Sequence, residues 1–164
     1  MTAPQPLRIG ILGAAKIAPM ALVRPARSVP GVRVAAVAGP DRARGEGFGA
    51  RQGIARAHRD YASLLADPDL DAVYNPLPNG LHAEWTIRAL EAGKHVLCEK
   101  PLASNAEEAR AMVRAAERTG RVLVEAFHWR YHPLAARMRE VVDSGELGRV
   151  RHVEASMCIP LPIP

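Results

Sequence analysis

A chain of 164 residues, 48% hydrophobic and 24% charged, has room for one globular domain or for one domain and the start of another. That composition excludes an intrinsically disordered protein. The longest stretch without a charged residue, Ala72–Ala83, spans twelve residues with two prolines, too short and too broken for a membrane-spanning helix.

The two cysteines, Cys98 and Cys158, are far apart and form neither a disulfide framework nor a metal-ligand spacing, so no metal is expected. Residues 1–7 lack the basic region and apolar run of a secretory signal, and a cytoplasmic location is expected. The net charge of +5 is uneven: residues 1–60 carry ten Lys/Arg against three Asp/Glu. The arginines stand singly, and aromatics make up only 4%, which gives base stacking little to work with. The expected partner is a phosphate-bearing small molecule, with no nucleic acid and no membrane.

In chain order, Leu7–Leu12 is an apolar run ending near glycine and predicts a buried strand. Pro19 suits the first turn of the following helix, whereas Pro25 should end or kink it. Val32–Ala38 predicts a second strand, and Arg42–Ala50 a helix that Asp41 could cap. Strands follow at Asp71–Tyr74, His95–Cys98 and Arg121–Glu125. A helix over Leu81–Ala92 stops at Gly93. Another over Ala106–Arg118 has Ser104 and Glu107 as a capping box and Gly120 as its stop. A third over Pro133–Asp143 opens on proline and closes at Gly145.

Alternating strands and helices, with strands apolar throughout, predict an α/β fold: a doubly wound, Rossmann-type parallel sheet covered on both faces. From Arg151 the pattern changes. Val153, Ala155, Met157 and Ile159 alternate with His152, Glu154, Ser156 and Cys158, predicting a half-buried strand of a different, antiparallel sheet. The expected division is a dinucleotide-binding domain over residues 1–126. Residues 127–164 would hold a loop, a helix and the first strand of an incomplete C-terminal domain.

Three strand ends carry candidate chemistry. The first strand runs into Gly10-Ile11-Leu12-Gly13-Ala14-Ala15-Lys16-Ile17-Ala18, where small residues allow a tight turn and close approach to a pyrophosphate. The same residues also suit plain helix–strand packing. After the third strand, Pro78-Asn79-Gly80-Leu81-His82 lies where ligands of open α/β sheets bind, although Asn79 and His82 equally suit a helix start. After the fourth, Cys98-Glu99-Lys100-Pro101 places one of only three lysines beside a proline; the alternative is a solvated charge. Glu125–Pro133 gathers two histidines, Arg130 and three of the seven aromatics, as in a lined cleft.

In this order GxxGxxxIA, PNxLH, EKP and EAFxWRYHP resemble the Gfo/Idh/MocA oxidoreductase family over nearly the whole chain. FHWRYHP and GELGRVRHVEAS are most similar to the branch holding dimeric dihydrodiol dehydrogenase and NADP-dependent xylose dehydrogenases. The resemblance implies a Rossmann domain followed by a mostly antiparallel α/β domain for substrate and oligomer contacts. It assigns Gly10, Gly13, Ala15, Lys16 and Ile17 to the dinucleotide turn, and Pro78, Asn79 and His82 to the loop near the nicotinamide. Glu99, Lys100 and Pro101 match the signature in which the lysine reaches the coenzyme ribose and the substrate hydroxyl. Arg130 is assigned to the coenzyme pocket.

The implied reaction is hydride transfer between NAD(P) and a hydroxyl-bearing carbon of a sugar, polyol or cyclic diol. Lys100 would be its acid/base group and His82 would help shape the pocket. Two departures stand out. Where NADP-using members carry Ser-Arg after the second strand, this chain has Gly39-Pro40. Asp41 resembles the ribose-binding acid of NAD enzymes, and Arg42 or Arg44 could hold a 2′-phosphate; the reading favours NADP over NAD. The family's D-x-x-x-H segment has no match, so a homo-oligomer or a missing C-terminal half is expected. The alternative is a non-catalytic nucleotide-binding remnant, or a subunit completed by another chain.

Overall fold

A computed structural model describes residues 5–156 and Cys158. Six parallel strands form one sheet in the order β3-β2-β1-β4-β5-β6. They are β1 (Leu7–Leu12), β2 (Val32–Ala38), β3 (Arg56–His58), β4 (Ala72–Asn75), β5 (His95–Cys98) and β6 (Leu123–Glu125). The order reverses between β1 and β4, which opens a crevice at their carboxyl ends.

Each strand turns alternate residues to opposite faces, and both faces are buried. Ile9 and Ile11 of β1, Val37 of β2 and Tyr74 of β4 join Leu22, Val23 and Phe48 on one side. Leu12, Ala36, Ala38 and Val73 join Leu64, Leu90 and Met112 on the other. This double burial is why the central strands are mostly apolar. Between Ile9 and Gly10 the register against β2 skips Ala35.

The helices are α1 (Arg24–Ala26), α2 (Arg42–Gln52), α3 (Tyr61–Leu65), α4 (His82–Glu91), α5 (Ala106–Thr119) and α6 (Pro133–Asp143). Pro25 stands one residue before the end of the first helix at Ala26. It follows a wider π turn over Pro19–Val23, in which the Arg24 N–H bonds the Pro19 carbonyl; proline has no N–H to give the ordinary ladder.

The cap of α5 is Asn105, one residue later than expected: its side chain accepts from the Glu108 N–H at 2.9 Å, while Glu108 takes the Ser104 N–H at 3.0 Å. Gly120 closes this helix at φ +65°. A 3₁₀ turn at Asn79–Leu81 precedes α4. Periodicity did not announce β3 or α3, because a three-residue edge strand and a five-residue helix are too short to show a period.

The chain divides between Ala126 and Phe127 into two compact units. The second holds a 3₁₀ turn at His128–Tyr131 and α6. The strand expected from Arg151 is not formed over Arg151–Ser156, which has no regular structure. A period-two pattern needs a neighbouring strand to bond, and no strand of the described residues pairs with this segment. Met157 and Ile159 lie outside the described residues.

Candidate functional site

Gly13 follows β1 and sits at φ +95°, a conformation that glycine adopts without strain. Its N–H bonds the Ala38 carbonyl at 2.7 Å, tying the turn to β2. A methyl group on Gly13 would lie 2.9 Å from Cδ2 of Leu77, so the turn after β1 and the loop after β4 are in contact at the point of strand reversal. Gly10 lies earlier, inside β1, where a side chain would strike Leu64 and Leu70.

The N–H groups of Ala14, Ala15, Lys16 and Ile17 have no acceptor among the described residues. Lys16 and Ile17 are exposed. Four donors free in a small-residue turn, beside a glycine with no room for a side chain, fit the pyrophosphate of a dinucleotide.

The end of β4 is held by buried polar groups. Asn75 gives its Nδ2 hydrogens to the Thr86 hydroxyl at 3.0 Å and the His82 carbonyl at 3.3 Å, and its Oδ1 takes the Leu77 N–H at 3.3 Å. His82 is fully buried. Its Nε2 lies 2.7 Å from the Leu77 carbonyl and its Nδ1 lies 2.9 Å from the Pro101 carbonyl. A neutral imidazole has one N–H, so the tautomer decides which carbonyl receives it. Either way both ring nitrogens face backbone, and the ring spans the loops after β4 and β5. Pro78 and Asn79 are exposed on the first of these loops.

At the end of β5, Glu99 is buried. It accepts the Tyr74 hydroxyl at 2.6 Å and the Lys100 N–H at 3.1 Å. Burial, then the Glu99 carboxylate, raises the Tyr74 phenol far above its ordinary range, so it remains a donor. The Lys100–Pro101 peptide is cis. The Lys100 side chain is exposed, while its backbone is fixed on both sides. Glu125 of β6 accepts the Leu102 N–H at 2.9 Å, joining a third strand end. Burial pushes the Cys98 thiol up to about 11, so it is no nucleophile at neutral pH.

At the end of β2, Asp41 caps α2, its Oδ1 accepting the Arg44 N–H at 2.8 Å. Arg42 pairs with Glu46 at 2.7 Å, and both side chains are solvated. A side chain on Gly39 would collide with the Gly45 backbone nitrogen, so no acid fits at the strand end itself.

Of the residues singled out in the sequence, those after β1, β4 and β5 are brought together. Arg130 is exposed in the 3₁₀ turn of the second unit. The supporting set of Tyr74, Asn75, Thr86 and Glu125 was missed. Its one sequence signal was the polar Asn75 closing an apolar strand, with Thr86 one helical turn after His82.

A family model described as "oxidoreductase family, NAD-binding Rossmann fold" matches residues 7–127. The chain is 45% identical over 156 residues to a D-xylose 1-dehydrogenase (NADP(+)) of Haloferax volcanii, covering 95% of this chain and 47% of the relative. It is 42% identical over 160 residues to a dTDP-3,4-didehydro-2,6-dideoxy-alpha-D-glucose 3-reductase of Saccharopolyspora spinosa, covering 98% and 48%. A solved 3-ketoreductase of Actinomadura kijaniata in complex with NADP superposes with a TM-score of 0.81 at 38% identity, covering 90% of this chain and 47% of that one. The chain thus spans about half the length of the relatives it matches.

Proposed function

The chain belongs to the Gfo/Idh/MocA oxidoreductase family, and on that premise we propose that it is the coenzyme-binding part of an enzyme moving a hydride between NADP and a hydroxyl-bearing carbon of a sugar, polyol or cyclic diol. The observation that carries this reading is the hydrogen-bonded frame at the ends of β4 and β5, which pins the backbone of Lys100 and leaves its side chain exposed.

When bound, the coenzyme supplies or accepts the hydride. The N–H groups of Ala14–Ile17 bind its pyrophosphate, with Gly13 as the tight turn. Pro78 and Asn79, exposed on the loop after β4, would border the nicotinamide end. The Lys100 Nζ binds the reacting hydroxyl and gives or takes its proton. Glu99 and His82 are positioning residues: Glu99 holds the Lys100 N–H, and the His82 ring spans the Leu77 and Pro101 carbonyls. NADP is favoured because Gly39 excludes an acid, the Asp41 carboxylate is engaged as a cap, and Arg42 and Arg44 flank the same helix start. The sugar substrates of the named relatives support the substrate class.

Thermal unfolding with added coenzyme tests this. Ligand at about 100 times its dissociation constant stabilises by about 2.7 kcal/mol, a rise of roughly 5–10 °C for a domain of this size. NADP is expected to act at lower concentration than NAD, and Gly13→Trp to abolish both shifts. In a preparation that turns over a sugar, Lys100→Met is expected to lose about 100- to 10,000-fold in rate. A cooperative melt unmoved by either coenzyme would overturn the reading.

A further inference from the structure

Tyr61 opens α3 and is held from three directions. Asp60 and Ser63 form a reciprocal cap, with the Ser63 N–H on Asp60 Oδ1 at 2.7 Å and the Asp60 N–H on Ser63 Oγ at 3.3 Å; this fixes the first residue of the helix. The Tyr61 ring meets Trp85 of α4 edge-on, centroids 5.0 Å apart at 81°, and the Arg88 guanidinium covers Trp85 at 4.7 Å. The ring also packs on the core cluster that contains Leu77. Only its hydroxyl end is left without a partner.

That hydroxyl stands at the dinucleotide turn. A methyl group built on Gly13 would lie 3.9 Å from the Tyr61 oxygen, so the oxygen occupies the side of Gly13 from which a side chain is missing. No described residue bonds it, whereas every buried side-chain nitrogen or oxygen among the described residues has a partner. The oxygen therefore keeps access to the crevice.

We propose that Tyr61 is a coenzyme-binding residue whose hydroxyl donates a hydrogen bond to a pyrophosphate oxygen of the dinucleotide held by the turn Gly13–Ile17. This rests on the coenzyme reading above. Phosphodiester oxygens only accept, so a neutral phenol complements the N–H groups of the turn without adding charge. Burial, and secondarily the Asp41 carboxylate, raise the phenol above its ordinary value, which keeps it a donor at any physiological pH.

The experiment compares the dissociation constants of NADP⁺, NAD⁺ and ADP-ribose for the chain and for Tyr61→Phe, which keeps the ring and its stack. A hydrogen bond to a charged acceptor predicts a loss of about 10-fold or more. It should be the same for all three ligands, which share the pyrophosphate, with the ligand-free melting temperature unchanged. Unchanged affinities would overturn the proposal. So would a loss confined to NADP⁺, which would place the hydroxyl at the 2′-phosphate instead. A wild-type chain that binds none of the three overturns the coenzyme reading itself. Binding that survives Tyr61→Phe overturns only the tyrosine's role.

Discussion

Gly39 and Gly45 touch backbone to backbone where β2 passes into α2. A Cβ on Gly39 would overlap the Gly45 nitrogen and lie 2.7 Å from the Asp41 carbonyl oxygen; one on Gly45 would lie 2.8 Å from the Gly39 nitrogen. Because these neighbours are main chain, no rotamer change relieves the overlap, and strand and helix must separate. Gly39→Ala is therefore expected to destabilise by about 1–3 kcal/mol. Gly80, in the loop after β4, has nothing within 4 Å of a built Cβ and no positive φ. Gly80→Ala is expected to stabilise by about 0.4–1 kcal/mol through the unfolded chain. Urea midpoints of the two variants check the pair, and the opposite ordering would show that the β2–α2 contact is not tight. The same contact makes a single-residue switch to an acidic, NAD-type strand end costly.

At the scale of elements, the Arg8–Asp71 pair ties the start of β1 to the residue before β4. Asp71 Oδ2 accepts the Arg8 backbone N–H at 2.8 Å and its Nε at 3.1 Å, Oδ1 accepts an Arg8 terminal nitrogen at 3.0 Å, and the Asp71 N–H returns to the Arg8 carbonyl at 2.9 Å. The Arg8 guanidinium, helped by its backbone N–H, holds the Asp71 carboxyl below its ordinary value of 3.8. A carboxyl depressed in the folded state binds fewer protons there than in the unfolded chain. Its stabilisation is thus fully present above about pH 4 and is lost as pH falls through the lower folded value. The wild-type chain should exceed Asp71→Asn in urea midpoint at pH 6, with the gap closing toward pH 2. A gap that stays constant with pH would mean the pair acts through shape rather than charge.

For the whole molecule, burial is concentrated in the first unit. All the buried hydrophobic residues among those described fall between Ile9 and Ala126. No residue of α6 is buried, and Trp129, Tyr131, Leu134 and Met138 are exposed. A helix of eleven residues with no buried face is marginal in water. Its backbone should open far more often than β1, β4 or β5. Brief trypsin treatment is expected to cut first at Arg149 and Arg151, then at Arg130, Arg137 and Arg139, and to leave a fragment containing the six strands. Cleavage at Arg33 or Arg88 as fast as at these sites would contradict this ranking.

Local pattern determined most of the elements. Five of the six strands are apolar runs because both faces of a doubly wound sheet are buried, and Gly93, Gly120 and Gly145 mark helix ends through left-handed backbone. The order of glycines, PNxLH and EKP along the chain likewise pointed to a coenzyme site at the strand ends. Tertiary structure decided the rest. His82 spans two loops, Glu99 takes a proton donor from β4, and Tyr61 reaches Gly13 from 48 residues away in sequence. Such contacts have no period and no fixed spacing, since they exist only once the parallel crossovers lay β1, β4 and β5 side by side. The same reason explains the tail. The alternation from Arg151 is a property of the residues, but a strand is a property of a pair, and no strand of the described residues pairs with this segment.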